Sequence, residues 1–152
     1  MEKTLTSAEI CAAASCPAST LRAWRNRNGL FPHHADKEGW SRFDLADAIG
    51  ARIVVLLTQR GLAAQSAVDL VNEMRHTLEL AAEGYAPWIG IGRKSFSDVL
   101  EFRELNATGS VMDNLGWFDD PVPTVINLNA ISWEIAFAVR KMRGLHDEGD
   151  GK

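Results

Sequence analysis

The sequence predicts a mainly α-helical fold with a small β component: a helix-rich N-terminal unit over residues 1–82 and a small α+β unit over residues 85–145. Three observations predict it. Helix start and stop signals follow one another closely from Thr6 to Gly61, with apolar residues at three- and four-residue spacing between them. Beyond Gly84-Tyr85-Ala86-Pro87 the pattern changes to short runs separated by turn residues. Charge divides in a similar way. Residues 1–62 hold eight Lys/Arg against six Asp/Glu and residues 63–152 hold eight against fourteen, within an overall charge of −4. The N-terminal unit is therefore the part suited to an anionic partner. With 152 residues, 46% of them hydrophobic, the chain has material for one ordinary domain or two small ones.

Thr6-x-x-Glu9 is a capping box that opens a first helix, carried by Ala8, Ile10 and the following alanines to about Ser15. Pro17 ends it by restricting Cys16 to an extended conformation. A second helix starts at Ala18 or Ser19 and stops at Gly29. Leu21 and Trp24 share its buried face, which turns Arg22, Arg25 and Asn26 onto another face with Arg27 beside them. Arg and Asn side chains can fork onto guanine and adenine edges, and Ser19 and Thr20 at the helix start suit phosphate oxygens.

Leu30-Phe31-Pro32 is expected to leave in extended form, Asp36-Lys37-Glu38-Gly39 to turn, and Trp40 to Phe43 to return as a strand. These two arms make a wing whose Arg42, His33 and His34 can touch a phosphate backbone. Asp44 then caps a third helix with Leu45, Ile49, Ile53, Leu56 and Leu57 at helical spacing, ending at Gly61. A further single helix is expected from Ala63 to Ala82, its stripe of Ala67, Leu70, Val71, Met74 and Leu78 serving the core or a dimer seam.

In the C-terminal unit, Trp88-Ile89-Gly90-Ile91 and Thr124–Leu128 read as strands, and Phe96–Leu105 fits either strand alternation (Phe96, Leu100, Phe102) or a helical face (Phe96, Val99, Leu100, Arg103), with the Asn106–Gly109 turn favouring the strand. Asn129 is expected to cap a last helix with Ile131, Ile135, Val139 and Met142 on one stripe, widened by Trp133 and Phe137. Residues 146–152 read as a disordered tail. The preferred role of this unit is dimerisation, and a pocket walled by Trp117, Phe118 and Trp133 is the rival.

Other chemistry is poorly supported. Cys11 and Cys16 have no second pair for a zinc site and suit small buried hydrophobes. His33 and His34, as neighbours in a strand, would point to opposite faces, which disfavours a metal site. Gly90-Ile-Gly92-Arg-Lys94-Ser95 lacks the spacing of a phosphate loop. Asp119-Asp120 before a proline suits a solvated loop better than a cation site. No catalytic arrangement stands out, so neither an enzyme nor a cofactor or metal is expected.

Thr20-Leu21-Arg22-Ala23-Trp24-Arg25, Gly29-Leu30-Phe31-Pro32, Gly39-Trp40-Ser41-Arg42-Phe43 with Asp44-Leu45, and Arg60-Gly61-Leu62 together resemble the MerR family of winged helix-turn-helix regulators over about residues 6–76. The resemblance implies a homodimer on double-stranded DNA, with the second helix in the major groove and the wings on flanking phosphates. Ser19, Thr20, Arg22, Arg25, Asn26, Arg27, His33 and Arg42 are the expected DNA-binding residues. The chain departs from metal-sensing members: the helix gives way near Gly84 and no metal-binding cysteines follow. The expectation is a cytoplasmic, nucleoid-associated transcriptional regulator with RNA polymerase as a further partner. A phage-type excisionase or small-terminase-like protein that recruits another phage protein is the alternative, and an adaptor that docks protein through its winged module is a third. No membrane partner is expected, because no run is long and apolar enough to span a bilayer and the start lacks the layout of a secretory signal.

Overall fold

The computed structural model describes residues 4–34, 42–95, 97–105 and 109–144. Five helices come first: α1 (Ser7–Ala14), α2 (Ala18–Asn28), α3 (Leu45–Gln59), α4 (Ala64–Glu73) and α5 (Arg75–Ala82). Then follow β1 (Trp88–Arg93), β2 (Leu100–Glu104), α6 (Val111–Gly116), β3 (Thr124–Asn127) and α7 (Leu128–Met142). A single 3-10 turn, Pro32–His34, lies between α2 and α3.

The capping signals act as their chemistry dictates. Thr6 accepts from the Glu9 N–H while the Glu9 carboxylate accepts from the Thr6 N–H, and Asp44 and Asp47 do the same at α3. At the centre is α3, with Ala48, Ile49, Ala51, Ile53 and Val54 fully buried. Around it pack α1, α4, α5 and α7. Gly50 makes the crossing possible: a Cβ there would lie 2.9 Å from Val71 Cγ1 and 3.2 Å from Leu78 Cδ1.

The expected helix over 63–82 is two helices. It breaks at Met74, which has a ψ of 4° and is fully buried, and the next residue, Arg75, reaches back to Asp44 and Asp47. The cause is tertiary, since no Gly or Pro is involved. The stripe of Ala67, Leu70, Val71, Met74 and Leu78 is spent inside the chain, all five at 3% exposure or less, so it is not a dimer seam.

The sheet is antiparallel with order β2-β1-β3. Ile89 pairs with Ile126 and Glu104, and Ile91 with Thr124 and Phe102. Ile89, Ile91 and Ile126 join the apolar cluster of the N-terminal helices. On the opposite face Gly90 and Gly92 admit Phe118, whose ring atoms would stand 3.0 Å or less from a Cβ at either position. The Gly-Ile-Gly pattern is thus close packing within a strand, not a phosphate loop.

Three sequence expectations need correction here. Helix α6 was not anticipated; Ser110 caps it and buried Asn114 donates to the Leu105 and Ser110 carbonyls. Helix α7 begins at Leu128 with Asn127, not Asn129, accepting from the Ala130 N–H. Its stripe buries Ile131 and Ile135 against the N-terminal helices, but Trp133 and Phe137 lie 68% exposed on the outer side, and Met142 is exposed too. Trp133 therefore forms no pocket with Trp117 and the buried Phe118. Arg143 ties the end of α7 to the chain start, donating to Glu9 Oε1 at 3.0 Å and to the Thr4 carbonyl at 2.7 Å. That guanidinium and the Thr6 N–H hold the Glu9 carboxyl below its ordinary pKa. Phe96, the Asn106–Thr108 part of the turn and the tail from His146 lie outside the described residues.

Candidate nucleic-acid interface

Helix α2 buries Leu21 and Trp24 against the scaffold and turns Ser19, Arg22 and Asn26 to solvent. These three sit at successive spacings of three and four and form one strip along the helix. Arg22 and Arg27 are exposed, and among the described residues no acidic side chain pairs with either. Arg25 is half-buried at the edge of the strip, its guanidinium 5.0 Å above the Phe43 ring. Arg27 is on the opposite shoulder, on the same side of the helix as half-buried Thr20. The expected residues of the second helix thus divide into an outward strip and two flanks.

The strip rests on a firm base. Gln65 of α4 accepts from Asn28 Nδ2 at 2.9 Å and donates to the Asn28 carbonyl at 3.1 Å. Asn72 donates to the Gly29 carbonyl at 3.0 Å. Gly29 takes the left-handed conformation (φ 76°) that ends α2, and the Leu30 N–H closes the turn onto the Trp24 carbonyl. Phe31 follows with φ 60°, a conformation costly for a non-glycine residue. Its burial and its ring contact with Phe43, 5.6 Å between centroids, hold it there.

The segment after α2 is not the extended arm expected. Left-handed Phe31 and the 3-10 turn curl the chain so that His33 and His34 point to one place rather than to opposite faces. Both imidazole Nε2 atoms donate to Asp47, each at 3.0 Å, His33 to Oδ1 and His34 to Oδ2. The Asp44 N–H adds a bond to Oδ2 at 2.9 Å, and Arg75 Nη1 one to Oδ1 at 2.5 Å. Arg75 also pairs with Asp44 and Glu79. Burial alone would raise the Asp47 carboxyl, but the Asp44 N–H, His34, Arg75 and His33 outweigh it and hold the pKa below its ordinary value. His33 is lowered, first by burial and then by Arg75 and His34, against the attraction of Asp47.

The two histidines and Asp47 have the composition of a metal site, with candidate ligand atoms within 4.8 Å of one another. Their bonding argues otherwise. Four donors already occupy the Asp47 oxygens, one of them the fixed positive charge of Arg75. Coordination through Nε2 would also move the His34 proton to Nδ1, which is buried without a partner. The cluster is a clamp that ties the exit of α2 to α3 and α5. His34, 6% exposed, is removed from the set that can reach a phosphate, whereas His33 keeps an exposed edge.

Arg42 is exposed. Phe43 beside it pairs with Leu5: the Phe43 N–H reaches the Leu5 carbonyl at 2.9 Å and the Leu5 N–H reaches back. The expected wing turn at Asp36–Gly39 and Trp40 lie outside the described residues. Elsewhere, Cys16 is buried and its thiol pushed up to about 11 by burial, Cys11 beside it being raised by burial too. Neither behaves as a reactive thiol. Asp119 accepts from the Ser95 N–H, and Asp120 pairs with Arg93 and caps the Val122 N–H. They brace a loop.

Residues 5–74 match the family model of the MerR HTH family regulatory protein. No curated protein matches the chain. The matched segment runs from the Leu5–Phe43 bridge to the buried Met74 and includes α2 together with the α4 residues Gln65 and Asn72 that hold its end. No helix of the described residues is long and apolar enough to cross a membrane.

Proposed function

We propose that the MerR-type helix-turn-helix domain of residues 5–74 reads duplex DNA as half of a homodimer, with α2 in the major groove. The coarse role, a DNA-binding regulator of transcription, follows from the domain type. Arg22 and Asn26 take base edges, Arg22 suiting guanine O6 and N7 and Asn26 suiting adenine N6 and N7. Ser19 and Thr20, at the N-terminal end of α2, take phosphate oxygens with the help of the free N–H groups there. Arg25 and Arg27 flank the groove, and Arg42 and the exposed edge of His33 lie toward the outer phosphates. The exposed strip Ser19-Arg22-Asn26 on a helix stapled to its scaffold supports the reading most strongly.

The test is selection of bound duplexes from a random pool, followed by affinity measurements on the selected and a scrambled duplex. The expected result is one recurring, two-fold symmetric motif bound at least about a thousandfold more tightly than the scrambled duplex. Enrichment of no motif, with equal affinity for both duplexes, overturns sequence-specific reading.

A further inference from the structure

Two large aromatic side chains, Trp133 and Phe137, lie four residues apart on α7 and are each 68% exposed. Isolated exposed apolar residues are ordinary, but a Trp-Phe pair on one helical face is not. The same helix spends its other face on the core through Leu128, Ile131 and Ile135. At 100° per residue, Trp133, Glu134, Phe137, Arg140 and Lys141 all fall within about 60° of the outward direction through Phe137. The strip is acidic at its N-terminal end and basic at its C-terminal end, with the aromatic pair between.

We propose that this face of α7 is the contact between two copies of the chain, the two helices crossing antiparallel about a two-fold axis at Phe137. The proposal rests on the homodimer reading above and names its surface. A two-fold axis lying in the interface, across the helices, keeps each side chain on its own side and reverses its height. Phe137 then meets Phe137 of the other copy. Glu134, on one side of the strip and one turn below centre, meets Lys141, on the same side and one turn above. Trp133, on the other side, meets Arg140, a pairing that puts a guanidinium on an indole face. A parallel arrangement would keep each height and swap the sides, putting Lys141 against Arg140 of the other copy and leaving Glu134 against Trp133, so the charge order selects the antiparallel one. Glu134 has its Oε1 on Arg52 at 3.2 Å, yet the side chain is 54% exposed and keeps Oε2 for a second partner. The surface lies away from α2, which packs on α1 and α4, so it leaves the outward strip of α2 open.

Sedimentation equilibrium of the full chain over nanomolar to tens of micromolar concentration tests the inference, with far-ultraviolet circular dichroism checking that each variant is folded. The unaltered chain is expected to be dimeric, and Phe137→Glu to raise the dimer dissociation constant by about 30-fold or more, as loss of a central aromatic anchor does. Lys141→Glu should weaken the dimer, and Glu134→Lys added to it should recover part of the loss, because the pair is re-formed with reversed sign. A dimer of unchanged strength in folded Phe137→Glu and Lys141→Glu overturns this surface while leaving the homodimer reading in place. A chain that stays monomeric throughout overturns both.

Discussion

Asp47 carries the most concentrated chemistry in the molecule. It is fully buried, and its carboxylate satisfies His33, His34, Arg75 and the Asp44 N–H at once. Removing the acceptor leaves a buried donor from His34 without a partner and takes from Arg75 its one buried carboxylate, with only the half-exposed Asp44 and Glu79 remaining, a loss that typically costs about 3–5 kcal/mol. Asp47→Ala should therefore lower the thermal midpoint strongly, and His33→Ala, at an exposed edge, should lower it much less. Differential scanning calorimetry separates the two. Acid should act in two stages. The folded pKa of His33 lies below its unfolded value of 6.5, so the unfolded chain binds more protons and stability declines as pH falls below about 6.5. Asp47, also depressed, contributes stability that is present above its unfolded value of 3.8 and is lost as pH falls through its lower folded pKa. In His33→Ala the first decline should be smaller and the second retained, as read from urea midpoints at successive pH values.

At the scale of elements, two glycines show how tightly the parts are joined. Gly50→Ala places a methyl 2.9 Å from the stiff Val71 side chain where α3 meets α4, and should cost about 1–3 kcal/mol despite the better helix propensity of alanine. Gly92→Ala crowds the Phe118 ring from 2.9 Å and should cost a similar amount, whereas Gly29→Ala, with nothing within 4 Å, should pay only for its left-handed backbone, about 1 kcal/mol. Chemical denaturation of the three variants checks the ranking. These same elements show what could be read from sequence. The capping box at Thr6, the Asp44 cap, the Pro17 and Gly29 stops and the buried Leu21 and Trp24 are legible because each depends on neighbours a few residues away. The break at Met74 is not, because its cause is Arg75 reaching Asp44 and Asp47, 31 and 28 residues earlier in the chain. The joint aim of His33 and His34 was hidden for the same reason: it depends on left-handed Phe31, which only tertiary packing against Phe43 sustains. A sequence signal for α6 did exist, Ser110 followed by Asp113, but the helix is two turns at most and buries only Asn114.

At the scale of the whole molecule, the uneven distribution of charge lets an acidic chain carry the strip proposed to read DNA. The N-terminal 62 residues have a surplus of two positive charges, while the remainder is negative by six. Binding should therefore be steep in salt for so acidic a protein, with each phosphate contact contributing nearly one unit to the slope of log affinity against log salt concentration. Arg42→Ala should lower affinity for every duplex alike and reduce that slope by about one. The central claim is that Arg22 reads a base rather than the backbone. Fluorescence anisotropy titration of Arg22→Ala against the selected and the scrambled duplex at fixed salt tests it directly. The account predicts a loss of about 1–3 kcal/mol on the selected duplex and little change on the scrambled one. Equal losses on both, or none on either, would contradict it.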